Sequence, residues 1–570
     1  MTVSTARAIL LRHDDALSLD PHALIQPGHV RLSTTLRLEA SHVRAPLPSP
    51  AGVAWSSVPI EPLVPAAVDA EAPDAVASAW DAAHALVIHA RAEGGSDETY
   101  AEPDLLYTLP SDVQAAAARS AALKPSPTGQ WKPEWPPSAA DIPKPRIDWF
   151  LDHARLRDAR GRVIAQLDPA FRVTVAHLDT GYNPKHVGLP RGLLWGQGID
   201  FTVDPPGNDV SDPGVPEPIL SSPGHGTGTA CLLAGGHCSA TGEDLGGVPF
   251  ANILPVRISD HVWHLWTSVI PKGIHYAIEQ GAHVINLCHG GLPTRSWADA
   301  VNAAYEAGVV ICAATGDNFG GLPYRWVVWP ARYPQVIGVA GVTYAGKPYF
   351  NASYGVGTLE GNFGPTGDMG NVIAAYTPNV PWAQCRMVTN GQLGGYVTDG
   401  YDLDGGGTSG STPQVAAAVA LYMQYWWPTL EKLQGWQRVE VVRAALKASA
   451  NTSAHDVEHF GAGCLDAMAM LNQDPAILAP TVKKLIPSEF QYAFLTQQPG
   501  WPATVEGERR MLQIELTHIA LSNPGLWEAV NAWQASGAVT ADPQFQTLRN
   551  AFLTCRNPRP SKALRDLLMS

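Results

Sequence analysis

The chain has 570 residues, of which 45% are hydrophobic and 16% are charged. This balance excludes an intrinsically disordered chain, and the length predicts about two to four structural units. The 38 basic and 52 acidic residues leave a net charge of -14, which disfavours binding to nucleic acid or to anionic membranes.

The first 124 residues predict a small α+β unit. Strand-like runs occupy residues 8–11, 29–38 and 99–107, and residues 75–92 predict a helix centred on Trp80. The apolar run at 8–11 is too short for a signal peptide, and no later segment has the roughly 18 apolar residues of a membrane-spanning helix. We therefore expect a soluble cytoplasmic protein.

A proline-rich segment follows this unit. Seven prolines lie between Lys124 and Arg146, at positions 125, 127, 133, 136, 137, 143 and 145. Because proline lacks the backbone N–H and restricts φ, regular structure is disfavoured there. Residues 125–145 are therefore predicted to be a linker.

Residues 146–473 predict an α/β domain. Apolar runs at 173–179, 252–258, 283–288, 309–314 and 336–342 predict strands, and residues 267–280 and 296–307 predict helices between them. Such alternation indicates a mostly parallel sheet with helices on both faces. Residues 474–570 lack strand-like runs and predict a helical C-terminal extension, with Pro524 and Pro543 in first turns.

The seven cysteines, at 231, 238, 288, 312, 385, 464 and 555, have neither disulfide-framework nor zinc-site spacing. Cys231, His237 and Cys238 lie close together, but no second ligand cluster accompanies them. We therefore expect reduced, buried thiols and no metal site among them.

Three short blocks contain residue types suited to nucleophilic catalysis. Asp179 ends the strand at 173–179, His225 lies in the Gly-His-Gly-Thr-Gly block at 224–228, and Ser409 follows the glycines at 405–407. A serine hydroxyl needs an imidazole to remove its proton, and a carboxylate to orient that imidazole. Taken singly, each block also fits a structural role: a turn-capping aspartate, a structural histidine, or a glycine-rich turn with Ser411 or Thr412 as helix N-cap.

Together the blocks Asp-Thr-Gly, His-Gly-Thr and Gly-Thr-Ser-x-x-x-Pro, in this order, resemble those of the subtilisin-like serine proteases, over roughly residues 146–473. The order Asp, His, Ser argues against the α/β-hydrolases and the chymotrypsin-like enzymes. The resemblance implies a serine endopeptidase acting on proteins or peptides. Ser409 would be the nucleophile, His225 the general base and acid, and Asp179 the orienting carboxylate, with no organic cofactor.

The resemblance also implies a substrate-binding cleft and an oxyanion donor. Cleft residues would be Leu287, Cys288, His289, Gly290, Ala314, Thr315 and Gly316. Cys288 and His289 depart from the serine, leucine and glycine common in the family, so its side-chain preference does not transfer. Asp317 stands where many members have an oxyanion-binding asparagine, and neighbouring Asn318 is the alternative donor.

Other expectations stay open. Residues 100–104 resemble the end of a subtilisin propeptide, so residues 1–124 are interpreted as a propeptide or an accessory domain. Structural calcium is considered at two acidic groups, Asp402 with Asp404, and Asp204 with Asp209 and Asp212. The C-terminal extension is a candidate site for a protein partner. A catalytically silent scaffold is the alternative function, and an esterase or peptide ligase would use the same acyl-enzyme.

Overall fold

The structure is a computed structural model. It describes residues 2–14, 36–38, 44–47, 53–62, 75–92, 94–108, 147–214, 224–260, 262, 265–319, 326–350, 359–389, 392–453, 456–488, 505–536, 543–556 and 558–569. The predicted linker at 125–145 and most of the predicted strand at 29–38 lie outside these residues.

The N-terminal unit is an antiparallel sheet packed against one long helix. Its elements are β1 (Thr2–Asp14), β2 (Leu36–Leu38), β3 (Arg44–Leu47), β4 (Val53–Pro62), α1 (Ala75–Ala92) and β5 (Tyr100–Thr108). Strand β1 lies between β4 and β5 and pairs antiparallel with both. The predicted helix at 75–92 is therefore present with the predicted ends.

The next part of the chain alternates strands and helices. Its first elements are α2 (Trp149–His153), α3 (Leu156–Ile164), β6 (Thr174–Asp179), β7 (Ile199–Asp200), α4 (His225–Ala234), β8 (His237–Cys238), β9 (Glu243–Asp244), β10 (Asn252–Arg257), β11 (Leu265–Trp266), α5 (Val269–Glu279), β12 (Val284–Leu287), α6 (Arg295–Ala307), β13 (Val310–Ala314), β14 (Asp317–Phe319) and β15 (Ile337–Val342). Helices α5 and α6 end before Gly281 and Gly308, whose positive φ values of 70° and 83° suit glycine.

The remaining elements complete the α/β part and add the C-terminal helices. They are β16 (Leu359–Gly361), β17 (Val372–Tyr376), β18 (Val380–Ala383), β19 (Arg386–Thr389), β20 (Gln392–Tyr396), β21 (Tyr401–Gly405), α7 (Thr408–Leu430), α8 (Gly435–Ser449), α9 (Val457–Phe460), α10 (Ala467–Leu471), α11 (Pro475–Leu478), α12 (Glu506–Leu521), α13 (Pro524–Ser536), α14 (Pro543–Thr554) and α15 (Lys562–Met569). Two short 3-10 helices lie at Trp195–Gln197 and Thr366–Asn371.

Seven parallel strands form the central sheet in the order β17-β15-β13-β12-β6-β10-β7. Alternate residues of β6 enter different cores, because successive side chains of a strand point to opposite faces. Val175 packs in the core containing α4 and α7, whereas Ala176 and Leu178 pack in the core containing α5 and α6. The predicted parallel sheet covered on both faces, with a helical C-terminal region, is confirmed.

The N-terminal unit is joined to the α/β part through one strand pair and two helix ends. Strand β5 pairs antiparallel with β11, which places Tyr107 opposite Leu265. Asp104 accepts hydrogen bonds from Ser268 N and Ser268 Oγ, at 2.9 and 2.8 Å, at the start of α5. Glu102 accepts from the backbone N–H groups of Arg295 and Ser296 at the start of α6, at 2.8 and 3.1 Å. Both carboxylates therefore occupy helix N-termini, where negative charge is stabilising.

Among the described residues, no helix has both the length and the apolar character needed to cross a membrane.

Candidate active site

Asp179 is the last residue of β6 and is 1% exposed. Its Oδ1 accepts from the Thr180 backbone N–H at 2.8 Å and lies 2.7 Å from His225 Nδ1, while its Oδ2 accepts from Thr229 Oγ1 at 3.0 Å. Burial alone would raise the pKa of Asp179, but the charge and hydrogen bond of His225 outweigh it and hold that pKa below its ordinary value. Asp179 is therefore an ionised carboxylate that fixes the His225 ring.

His225 is the first residue of α4 and is 3% exposed. The glycines beside it permit close packing: a Cβ on Gly226 would lie 2.3 Å from the Gly181 carbonyl oxygen. The Trp382 ring packs against the imidazole, with a centroid separation of 5.5 Å. The helix start, the Asp179 hydrogen bond and the Trp382 contact together hold the ring in one orientation.

Ser409 is the second residue of α7 and is 7% exposed. The helix N-cap is Gly407, with φ of 76°, so the helix begins before the serine. The alternative that Ser411 or Thr412 caps the helix is wrong, because both hydroxyls donate to carbonyl oxygens, of Ala375 and Thr408 respectively, at 2.8 Å. Ser409 consequently lies in the first turn, where free N–H groups and the helix dipole stabilise developing negative charge.

Asp317 lies directly beside this helix start. Its Oδ1 accepts from Thr408 N at 2.8 Å and its Oδ2 from Thr408 Oγ1 at 3.2 Å. Desolvation of the carboxyl group raises the pKa of Asp317 to about 7, although the Thr408 hydrogen bonds and the charge of His225 act in the opposite direction. Asn318 is fully buried and its Nδ2 donates to Asn362 Oδ1 at 2.9 Å. Asp317 therefore contacts the residue next to Ser409, whereas Asn318 is bonded to Asn362 in the interior.

The other end of the site is formed by the residues after β12. Cys288 is 5% exposed, and its Sγ lies 3.8 Å from the Ser409 carbonyl oxygen. Burial and then the charge of Asp179 raise the pKa of the Cys288 thiol well above its ordinary value. Cys288 is therefore a neutral side chain that packs between Asp179 and the Ser409 segment. It forms a contact between the end of β12 and the start of α7.

His289 lies beside His225. Its ring is perpendicular to the His225 ring, with a centroid separation of 5.5 Å and an interplanar angle of 80°, and its Nε2 is 2.8 Å from Ser259 Oγ. Asp179, His225 and His289 each have one atom of a metal-ligating type, and these three atoms lie within 4.8 Å of one another. Asp179 and His225 already contact each other, since His225 Nδ1 is 2.7 Å from the Asp179 carboxylate.

Two of the aspartates considered as calcium ligands, Asp212 and Asp402, accept hydrogen bonds from nearby protein groups. Asp212 accepts from Thr180 Oγ1 at 2.7 Å through one oxygen and from Gly214 N at 2.7 Å through the other. Asp402 Oδ1 accepts from Gln384 Nε2 at 2.8 Å. Asp212 and Asp402 therefore already act as hydrogen-bond acceptors for neighbouring protein groups.

The remaining predicted cleft residues are of two kinds: some have side chains buried in the core, and the two glycines lie beside Val328. Leu287 and Thr315 are fully buried and Ala314 is 3% exposed, so the side chains of all three belong to the core. Val328 lies beside both glycines: a Cβ on Gly290 would lie 2.5 Å from the Trp329 carbonyl oxygen and 2.7 Å from Val328 Cγ2, and one on Gly316 would lie 2.9 Å from Asn362 Nδ2 and 3.0 Å from either Val328 methyl. Val328 is itself held by a 3.0 Å hydrogen bond from its N–H to the Thr315 carbonyl oxygen.

Two residues of the site were missed by sequence reasoning. His177 and Thr229 lie behind Asp179: His177 Nε2 is 2.9 Å from Thr229 Oγ1, and His177 Nδ1 is 2.7 Å from Tyr182 Oη. Burial lowers the pKa of His177 to about 4, so its ring is neutral. A signal was present, because a histidine two residues before Asp179 in an otherwise apolar strand must share its face of the sheet.

Comparison with known proteins agrees with this geometry. A carboxylate–imidazole pair and a helix-start serine are the residue types that a serine-hydrolase class of site combines. The sequence model of the subtilase family matches residues 172–463, about half of the chain, and the protein belongs to that family.

Three bacterial proteases illustrate the relationship. The chain is 35% identical to thermitase from Thermoactinomyces vulgaris over 168 residues, 29% of this chain and 53% of thermitase. It is 31% identical to the major intracellular serine protease of Bacillus subtilis (strain 168) over 182 residues, 30% of this chain and 52% of that protein. Identity to subtilisin E of the same organism is 28% over 300 residues, 52% of this chain and 65% of subtilisin E. Each match spans less than two thirds of the relative.

Among solved structures, fervidolysin from Fervidobacterium pennivorans, described as a keratinolytic enzyme related to subtilisin, superposes with a TM-score of 0.51. The match covers 83% of this chain and 61% of fervidolysin at 20% identity, so it shows a shared fold.

Proposed function

We propose that the protein is a serine endopeptidase, with Ser409 as nucleophile. The observation that carries the proposal is the 2.7 Å contact between Asp179 and His225 within the segment that matches the subtilase family. Helix α4, which begins at His225, packs against α7, which presents Ser409 in its first turn. The three residues thus come from elements that meet at one edge of the sheet.

The proposed reaction proceeds through an acyl-enzyme. His225 removes the Ser409 hydroxyl proton while the serine oxygen attacks the peptide carbonyl carbon, and the imidazolium then donates that proton to the leaving amine. Water attacks the ester carbonyl, giving a proton to His225, which returns it to the serine oxygen as the acid product leaves. Asp179 stabilises the imidazolium, and the Ser409 N–H with protonated Asp317 would donate to the oxyanion.

The proposed substrates have a small side chain at the residue whose carbonyl is attacked. Val328 supports this, because its methyl groups lie within 3.0 Å of the positions that a Cβ on Gly290 or Gly316 would take. A large apolar side chain would need the volume that Val328 occupies. The proposed preference is therefore for glycine, alanine or serine over leucine or phenylalanine at that position.

The N-terminal unit is proposed to be a propeptide-like domain. Its strand β5 pairs with β11, and the Tyr107 hydroxyl donates to the Leu292 carbonyl oxygen at 3.0 Å, two residues beyond Gly290. If the unit is a propeptide, sequencing of new N-termini after incubation will find cleavage between about residues 107 and 150. An uncut, fully active chain would support the accessory-domain alternative.

A reducing compartment is also proposed, which a cytoplasmic location would provide. All seven cysteines are described by the structure, none of them is in a disulfide, and six are buried. Equal activity with and without dithiothreitol, together with seven titratable thiols in denaturant, is the expected result. Fewer titratable thiols in protein purified under non-reducing conditions would contradict it.

A fluorophosphonate probe tests the enzymatic proposal, because it labels only an activated serine. Covalent labelling of the wild-type chain, lost in Ser409→Ala and retained in Ser411→Ala, is the expected result. No labelling of folded protein between pH 5 and about 9, where a general-base histidine is active, would favour the catalytically silent scaffold. Labelling without peptide cleavage, but with hydrolysis of an ester or transfer to an added amine, would favour the esterase or ligase alternative.

A further inference from the structure

The C-terminal helices contact both other parts of the protein. Apolar residues of α12–α15, of α1 and β1, and of α5 and α6 belong to one continuous buried core. From the C-terminal helices this core includes Met511, Leu512, Ile514, Leu516, Ile519, Trp527, Val530, Trp533, Phe545, Leu548, Phe552, Leu564 and Leu568. The helices therefore do not form a separate appendage, because their apolar faces are buried against the rest of the chain.

Helix α12 begins in direct contact with the N-terminal unit. The Gly507 backbone N–H donates to the Asp97 carbonyl oxygen at 2.8 Å. A Cβ on Gly507 would lie 2.1 Å from the Thr99 carbonyl oxygen, so only glycine permits this approach. At the edges, Arg510 Nη1 lies 3.2 Å from Glu98 Oε2.

Helix α15 makes a second contact with the same unit. The Lys562 backbone N–H, at the start of α15, donates to Asp81 Oδ1 of α1 at 2.6 Å. Beside it, Glu515 is 1% exposed, accepts from Ser561 N and lies 3.6 Å from His84 Nε2 of α1. One side of α1 is thus covered by the C-terminal helices.

The other side of α12 is fixed to the α/β part. His518 Nε2 lies 2.6 Å from the Pro293 carbonyl oxygen, just before α6, and the His518 ring packs edge-on against Trp80 of α1 at 6.1 Å. Burial lowers the pKa of His518 to about 4, so the ring is neutral and Nε2 carries the donated hydrogen. Trp527 of α13 packs against Trp326 at 5.5 Å. Helices α12 and α13 therefore contact the α/β part, and α12 also contacts the N-terminal unit.

The chain leading to these helices is also held by the α/β part. Ser488 exchanges two hydrogen bonds with the Asn302 side chain of α6, at 2.6 and 3.0 Å, and its Oγ is 3.0 Å from Gln335 Oε1. The chain is therefore bonded to the α/β part at Ser488, and a cut within residues 125–145 leaves α12–α15 covalently joined to that part.

We propose that helices α12 and α15 form a second docking surface for the N-terminal unit, which keeps that unit bound after the linker at 125–145 is cut. The first surface is the β5–β11 pair with its two capped helices. The N-terminal unit can dissociate only when both of its contact surfaces are broken at the same time. While one surface is still bound, it holds the two sides of the other surface at a high effective concentration, so that the broken contact re-forms. Linker cleavage alone then yields a stable two-chain complex, and release requires displacement of the C-terminal helices.

The test uses the full chain with Ser409→Ala, so that the released fragment is not digested and the outcome does not depend on catalysis. A recognition sequence for a site-specific protease is placed within residues 125–145 and cut to completion. Size-exclusion chromatography at micromolar concentration should show both fragments in one peak. Separation of the wild-type fragments under these conditions would overturn the proposal.

Two glycine variants compare the docking surface with a neutral position. Gly507→Leu forces a side chain onto Thr99, whereas Gly525→Leu, also at the second residue of a helix, meets nothing within 4 Å. Overpacking of this kind weakens an interface about tenfold or more. After cutting, the N-terminal fragment should therefore dissociate at least about tenfold faster from Gly507→Leu than from Gly525→Leu. Equal dissociation rates would also overturn the proposal.

A second, surface variant keeps the test valid if Gly507→Leu fails to fold. The pair Asp81→Ala and Glu98→Ala removes two polar contacts with α12 and α15 from the N-terminal side. Faster fragment dissociation with an unchanged circular dichroism spectrum is expected, and an unchanged dissociation rate would count against the proposal. Because only fragment association is measured, failure of this test and failure of the protease proposal are distinguishable.

Discussion

His177 Nε2 lies 3.6 Å from Asp179 Oδ2, so the carboxylate is placed between two histidine rings. Thr229 Oγ1 lies within hydrogen-bond distance of both residues. A neutral His177 with its hydrogen on Nε2 can donate to Thr229, and Thr229 can then donate to Asp179, while Tyr182 donates to His177 Nδ1. This buried chain orients the second oxygen of Asp179, since the first is used by His225 and Thr180.

Removal of the Thr229 hydroxyl should weaken catalysis through Asp179. Thr229→Val keeps the shape but leaves Asp179 Oδ2 and His177 without their shared partner. A hydrogen bond to a charged group contributes roughly 1.5–3 kcal/mol, so kcat/KM should fall about tenfold or more. Thr229→Ser restores the donor and should recover most of the activity. If the serine variant were as impaired as the valine variant, packing instead of hydrogen bonding would be the role of Thr229.

The positions of the central strands along the chain follow from apolar runs in the sequence. The run at 252–258 became β10 (Asn252–Arg257) and that at 309–314 became β13 (Val310–Ala314), because a strand buried on both faces is apolar throughout. The candidate site followed similarly, since the carboxyl end of β6 and two glycine-bordered helix starts are local patterns.

Contacts between segments far apart in the chain could not be predicted from the sequence in this way. The Thr229–His177 pair and the position of Val328 depend on which segments meet in space, and hydrophobic periodicity does not specify that. The pairing of β11 with β5 was missed for another reason: two residues, Leu265 and Trp266, are too short a run to predict a strand. The helix start at Gly407 was also missed, because several small polar residues beyond it are equally good caps by residue type.

Asp104 should stabilise the docked N-terminal unit. Asp104→Ala removes the acceptor for Ser268 N and Ser268 Oγ at the start of α5, and loss of a cap costs about 1–2 kcal/mol. In the Ser409→Ala background the melting temperature should fall by on the order of 2 °C. Asp97→Ala is the matched control, because Asp97 is exposed and contacts α12 through its backbone. Equal melting temperatures for the two variants would argue against a capping role for Asp104.

Asp317 should make stability depend on pH. Its pKa in the folded protein is raised from 3.8 to about 7, so the folded state favours the protonated acid. The associated stability is complete below pH about 4 and is lost as the pH rises through about 7. In the Ser409→Ala background, Asp317→Asn should therefore raise the melting temperature at pH 8 more than at pH 4. Asp158→Asn, at an exposed position of α3, should show no such difference.

The same substitution tests the oxyanion assignment when Ser409 is present. An asparagine amide can donate at any pH, so Asp317→Asn should hold or increase kcat at neutral pH. Asn318→Ala should affect folding more than catalysis, because its amide bonds Asn362 in the interior. Complete loss of activity in Asp317→Asn, with Asn318→Ala equally inactive, would transfer the role to Asn318.

Val328 should determine which side chain is accepted at the attacked residue. Its methyl groups lie beside both Gly290 and Gly316, so removing them should enlarge the space there. With peptide substrates that differ only in alanine or phenylalanine at that residue, wild type should prefer alanine. Val328→Gly should raise kcat/KM for phenylalanine relative to alanine by about tenfold or more, because burying an aromatic side chain contributes about 1.5–3 kcal/mol. Val328→Ala should have an intermediate effect.

The control is Val187→Gly, which removes a valine that is 54% exposed and should leave the ratio of the two kcat/KM values unchanged. A wild-type preference for phenylalanine would show that substrate side chains bind elsewhere, while activity itself would still support the serine mechanism.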